Sequence, residues 1–180
     1  MKIRKTFFYL AALIIVCSSC ENENENKSAT TTSTKLLFKT VDIEDSHLNF
    51  TNEVKESTNR NSMFFDYFLN GGGVAVGDVN NDGLADIFFT GNDVPNKLFI
   101  NEGNLKFKDI SNTALPKSDK WSTGVNMVDV NNDGLLDIYV CSSGIEEADN
   151  RLANQLLINN GDLTFTDKAK EYGVAGNSKS

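Results

Sequence analysis

The chain has 180 residues, room for one domain or part of one. Its 17 Lys+Arg against 25 Asp+Glu give a formal charge of -8, the wrong sign for a protein that grips nucleic acid through phosphate contacts. With 39% hydrophobic residues, 2 Pro, 1 His and 3 Cys, the composition supports a packed core and excludes wholly disordered, Pro-rich, His-cluster and disulfide-scaffold classes.

Residues 1–19 read as a signal peptide. Lys2, Arg4 and Lys5 precede an apolar run from Phe7 to Val16, half of the roughly 20 residues a bilayer-spanning helix needs. The run ends in Cys17-Ser18-Ser19-Cys20, which resembles the lipobox of bacterial lipoproteins, with Cys17 where Leu is usual. The resemblance implies cleavage before Cys20 and lipid attachment at that residue. Two or more acyl chains anchor stably, since each buried methylene contributes about 0.8 kcal/mol. An ordinary cleaved secretory signal is the alternative.

Residues 20–35 hold Glu21-Asn22-Glu23-Asn24-Glu25-Asn26 and a Ser/Thr-rich run with no aliphatic residue larger than Ala, so they read as a flexible tether. The acidic run is similar to the surface-export signals of Bacteroidetes lipoproteins; a solvated spacer is the plainer alternative. Loss of residues 1–19 removes Lys2, Arg4 and Lys5 and no acidic residue, leaving 14 Lys+Arg against 25 Asp+Glu. So large an acidic excess on a small body suggests bound cations.

Residues 36–72 read as an N-terminal strand segment, in which Phe50-Thr51-Asn52 echoes Phe107-Lys108-Asp109. The rest is a repeat. Gly73 to Ile87 matches Gly124 to Ile138 at an offset of 51, and Asn96 to Gly103 matches Asn154 to Gly161 at an offset of 58. The extra residues lie in the polar stretch Ser143 to Ala153 and lengthen a loop. In the first unit, short strands are expected over Val74–Val79, Asp86–Thr90, Lys97–Asn101 and Leu105–Ile110, the last two joined by the hairpin signal Glu102-Gly103-Asn104. The expectation is an all-β fold of four-stranded antiparallel propeller blades, one over 73–112 and a second within 113–180 together with the start of a further unit.

The turn between the first two strands of each unit carries the chemistry. It reads D-x-N-x-D-G-x-x-D twice. Side-chain oxygens fall at positions 1, 3, 5 and 9: Asp78, Asn80, Asp82 and Asp86, then Asp129, Asn131, Asp133 and Asp137. Leu84 and Leu135, at position 7, can each offer a backbone carbonyl. Gly83 and Gly134 permit the bend. Five oxygen ligands plus one or two waters suit Ca²⁺, whereas zinc wants His or Cys. Position 12 holds Phe89 and Val140, so the loop is not an EF-hand. Two Ca²⁺ sites are expected, with affinities of roughly 10⁻⁴–10⁻³ M or tighter; an Asx-rich turn without metal is the alternative.

On these motifs, residues 63–170 resemble the FG-GAP/VCBS-type repeats of bacterial surface proteins, whose blades are similar to those of the integrin α-chain propeller. Asn70-Gly71-Gly72-Gly73 and Trp121-Ser122-Thr123-Gly124 resemble the group associated with an ASPIC/UnbV domain. The resemblance implies calcium in the acidic turns, a propeller that is usually seven-bladed, and surface binding rather than catalysis. Two blades leave apolar faces open, so the chain reads as a fragment of a longer protein or as a unit that assembles with others. In a full ring, the Phe50 strand would complete the last blade.

Other features read as structural. Gly71-Gly72-Gly73 lacks the Lys-Ser/Thr of a phosphate loop and fits a tight entry to a strand. His47 reads as exposed, Cys141 as a buried small hydrophobe, and Trp121 as packing between blades. No carboxylate pair stands clear of the turns to act as acid and base. The function expected is a calcium-binding, lipid-anchored, non-enzymatic adhesion module on the bacterial outer membrane, exposed at the cell surface. It would bind a glycan or a protein and no nucleic acid. The alternatives are a Ca²⁺-dependent lectin, or an accessory part of a larger surface enzyme or uptake system.

Overall fold

The computed structural model describes residues 37–143 and 152–176. The signal peptide, Cys20, the 20–35 tether and most of the longer loop lie outside these residues. The chain divides into two units, Met1–Lys39 and Thr40–Ser180. Only residues 37–39 of the first are described, and the described strands all belong to the second.

Eight strands form two four-stranded antiparallel sheets. The first contains β1 (Val74–Gly77), β2 (Asp86–Phe89), β3 (Lys97–Asn101) and β4 (Phe107–Asp109), in that order. The second contains β5 (Ser122–Val128), β6 (Asp137–Ser142), β7 (Gln155–Asn159) and β8 (Phe165–Asp167). This is the all-β, blade-like architecture expected from the repeat. Among the described residues the helical elements are α1 (Ile43–Ser46) and α2 (Ser111–Ala114), each a single turn. No helix among the described residues is long and apolar enough to cross a membrane.

The register follows the hydrophobic alternation. Val76 pairs with Ile87, and Ile87 with Phe99; in the second sheet Met127 pairs with Ile138, and Ile138 with Leu157. The sheets pack face to face. Val79, Phe88, Leu98 and Ile100 from the first meet Ile138, Val140, Leu157 and Phe165 from the second in one core. Each of these large side chains contributes about 1.5–3 kcal/mol by leaving water. Ala114 of α2 and Leu115 close one end of this core.

The glycine run sets the entry to β1. A Cβ on Gly72 would overlap the Thr90 carbonyl oxygen, and one on Gly73 would lie 3.0 Å from the Thr123 carbonyl oxygen and 3.2 Å from Gly124 Cα. At Gly73 the main chains of the two sheets approach closely enough that a side chain would have to push the neighbouring backbone aside.

Residues 40–72 do not form the strand segment that their sequence suggests. Among the described residues they hold α1, turns and one isolated bridge, Ser57 to Arg60. Phe50-Thr51-Asn52 has the pattern of β4 but no hairpin to lay it beside a neighbour, and its side chains are used singly. Phe50 stacks on Phe89 at 5.0 Å between centroids. Asn52 and Asn92 exchange two hydrogen bonds. Arg60 pairs with Asp93 and lies 4.9 Å over the Trp121 ring. Phe68, fully buried, packs on the same indole at 5.4 Å. Trp121 therefore packs against this N-terminal segment as well as closing the start of β5. His47 caps α1 in a left-handed conformation and is exposed, while Cys141 is half-buried.

Candidate functional site

The turns Asp78–Asp86 and Asp129–Asp137 join β1 to β2 and β5 to β6, and their geometry is nearly the same. In the first, Asp78 Oδ1 accepts the N–H of Asp82 (3.1 Å) and Oδ2 that of Gly83 (2.8 Å). Asn80 Oδ1 accepts the N–H of Asp82 (3.2 Å), and its Nδ2 donates to Asp82 Oδ2 (2.9 Å). Asp82 Oδ1 accepts the N–H of Leu84 (2.8 Å). In the second, Asp129 accepts from Asp133 (3.2 Å) and Gly134 (2.9 Å), Asn131 from Asp133 (3.0 Å), and Asp133 from Leu135 (2.8 Å). Gly83 and Gly134 take φ of 84° and 86°, and Asn81 and Asn132 take 57° and 62°. Two left-handed residues per turn fold the oxygens back over the backbone.

Position 9 is different in kind. Asp86 and Asp137 are fully buried. Asp86 Oδ2 accepts the N–H of Val79 (2.9 Å) and Oδ1 that of Asn101 (2.8 Å). Asp137 does the same with Val130 (3.0 Å) and Asn159 (2.9 Å). Each carboxylate thus fastens the start of its own turn to the end of the third strand. Burial raises the Asp86 pKa above its ordinary value; the two backbone N–H groups work against that, and the Asp82 and Asp78 charges add to it. Among the described residues neither Asp86 nor Asp137 has a Lys or Arg partner in an ion pair.

The donor set is all oxygen. Each carboxylate oxygen that accepts one N–H retains a second lone pair, so the hydrogen bonds do not exhaust its capacity for a hard cation. Among the described residues no three His, Cys, Asp or Glu side chains form a ready metal cluster; the expected set in each turn also includes an amide oxygen and a carbonyl. Asp78, Asn80, Asp82 and Asp86 come from one nine-residue turn, as do Asp129, Asn131, Asp133 and Asp137. Leu84 and Leu135 are placed by their N–H bonds to position 5. These residues fit a hard divalent ion and do not fit a thiophilic one.

Asn101 and Asn159, absent from the sequence-based site, belong to it. Besides bonding position 9 through their N–H groups, they donate Nδ2 to the Ala85 carbonyl (3.1 Å) and the Leu136 carbonyl (3.2 Å). Their Oδ1 atoms accept from Gly103 (2.9 Å) and Gly161 (3.0 Å) in the following hairpins. Their matched places in the repeat, Asn101-Glu102-Gly103 and Asn159-Asn160-Gly161, were the available signal.

The fold and the paired turns define an all-β repeat chain with acidic turns at matching positions. Residues 78–140 match the FG-GAP-like repeat, from position 1 of the first turn into β6. The chain is also 35% identical over 105 residues to Cartilage acidic protein 1 of Xenopus tropicalis. That alignment covers 58% of this chain and 16% of the relative's length.

Proposed function

We propose that this chain is a calcium-stabilised, non-enzymatic binding module, anchored by lipid at Cys20 and exposed at a bacterial outer-membrane surface. The observation that carries the calcium reading is the fully buried position-9 carboxylate. In the first turn it shares its surroundings with two further carboxylates that raise its pKa. A buried charge is ordinarily paired or bound to metal, and a +2 ion is the partner that would relieve all three. The ion would be held by Asp78, Asn80, Asp82, the Leu84 carbonyl and Asp86, and a second by Asp129, Asn131, Asp133, the Leu135 carbonyl and Asp137. It supplies charge neutralisation, while the backbone hydrogen bonds orient the ligands. The FG-GAP-like repeat supports an adhesion-like role, with a glycan or a protein as the partner.

Calorimetric titration of CaCl₂ into chelator-treated chain should register two sites, and Ca²⁺ should raise the melting temperature. Asp82→Ala should remove one site and part of that rise. Absence of heat together with an unchanged melting temperature in the parent chain would defeat the calcium reading. Radiolabelled fatty acid should label the parent chain in bacteria and leave Cys20→Ala unlabelled; equal labelling would defeat the anchor.

A further inference from the structure

The two acidic turns are joined to each other across the sheet interface. Val79 lies between Asp78 and Asn80. Its N–H donates to Asp86 Oδ2, and its carbonyl accepts Nδ2 of Asn159 at 2.8 Å. Asn159 ends β7 of the other sheet, 80 residues away. The Asn159 N–H donates to Asp137 Oδ1, and Asp137 Oδ2 accepts from Val130, between Asp129 and Asn131. The position-9 carboxylate of one turn is therefore linked to that of the other through Val79 and Asn159. Both linking residues are almost wholly buried, at 1% and 4% exposure, so no water can stand in when the bond breaks.

A second bond runs at the surface. Asn81 Nδ2 donates to the Gly134 carbonyl at 3.0 Å, and the Gly134 N–H is the donor to Asp129 Oδ2. Asn101 supplies an internal comparison, because it makes the same three bonds inside its own sheet that Asn159 makes in the other. Asn159 adds one more, to Val79.

We propose that Asn159 and Asn81 couple the turns, so that a divalent cation held in one raises the affinity of the other. This rests on the calcium reading above. Fixing the first turn sets Val79 and Asn81 in place, and these are the groups that order Asn159 and Gly134. The second turn then has less conformational freedom to lose on binding. The charge of the first ion works in the opposite sense, and salt screens that contribution. The coupling should therefore strengthen as salt rises.

The test is calorimetric titration of the full 180-residue chain with CaCl₂ at about 0.15 M and about 0.5 M KCl, which differ in screening length. In the parent chain the second ion should bind about 5-fold or more tightly than the first after statistical correction, at least at the higher salt. Asn159→Ala should bind two ions independently. Asn81→Gly still reaches the left-handed backbone, removes the amide that bonds Gly134, and should lower the ratio; it decides the matter if Asn159→Ala does not fold. Asn160→Ala, whose side chain bonds Thr164 and Thr166 in the hairpin, should retain the parent ratio. Two independent sites in the parent chain at both salts would overturn the coupling and leave the calcium reading standing. So would an undiminished ratio in Asn81→Gly and Asn159→Ala. No heat in any chain, with a melting temperature that Ca²⁺ leaves unchanged, would remove the calcium reading and the coupling together.

Discussion

Replacing Asp86 with Ala tests whether the position-9 carboxylate holds the fold together even without metal. The side chain is fully buried and accepts the N–H groups of Val79 at 2.9 Å and Asn101 at 2.8 Å. Alanine leaves both donors without an acceptor, and each orphaned buried donor costs about 1–3 kcal/mol. Against this, the substitution removes a charge that burial and the neighbouring Asp82 and Asp78 disfavour. The expected net loss is about 2–4 kcal/mol, a large share of the roughly 5–15 kcal/mol available to a typical domain. Urea unfolding in excess EGTA, followed by circular dichroism, measures it free of any ion. Asp86→Asn keeps the shape and one acceptor oxygen, so it should cost about half as much. A loss below about 0.5 kcal/mol for Asp86→Ala, within the usual range for surface changes, would refute the assignment of Asp86 as a backbone fastener.

The remaining expectations concern packing and charge. Gly73→Ala should destabilise more than Gly77→Ala in urea unfolding. A Cβ at Gly73 meets main-chain atoms of the other sheet at 3.0–3.2 Å, whereas one at Gly77 meets the mobile ends of Leu136 and Met127 at 2.7 and 2.9 Å; equal losses would count against the close approach of the two backbones. Trp121 is the one tryptophan and lies against Phe68 and Arg60, so Phe68→Ala should shift its fluorescence to longer wavelength, and an unmoved spectrum would place the indole elsewhere. Burial pushes the Asp109 pKa upward, but hydrogen bonds from Lys97 and Ser111 outweigh it and hold the group below 3.8. Its contribution to stability is present above that value and is lost as pH falls through the lower folded value. Lys97→Gln should shrink that acid-side loss in an unfolding series; an unchanged acid limb would argue against the pairing.

The sequence period made the sheets legible because each unit repeats both its apolar alternation and its turn residues. The first strand ends sooner than the pattern suggested, since Val79 leaves the ladder to serve the turn. The turns were legible at positions 1, 3 and 5, where the acidic and amide residues declare themselves. At position 9 the pattern points to a ligand alone. Its fastening of Val79 to Asn101 depends on backbone N–H groups that every residue carries, so composition gives no hint of it. The bond from Asn159 to Val79 spans 80 residues and has no counterpart within one unit, which puts it beyond any reading by repeat. Residues 40–72 misled because Phe50-Thr51-Asn52 copies a strand motif. A three-residue pattern cannot specify a strand without a partner to receive its hydrogen bonds, and here Phe50 and Asn52 serve as separate contacts.

The obstruction at Gly72 is a carbonyl oxygen of the main chain, from Thr90, and that fact governs what the position can tolerate. A crowded site walled by side chains yields by degrees, because neighbours can rotate and smaller replacements fare better than larger ones. A peptide oxygen on a residue tied back to Gly73 by its own N–H offers no such gradation, and alanine collides there as surely as tryptophan. A saturation library at this codon should give a step, with the parental residue on one side and every other amino acid on the other.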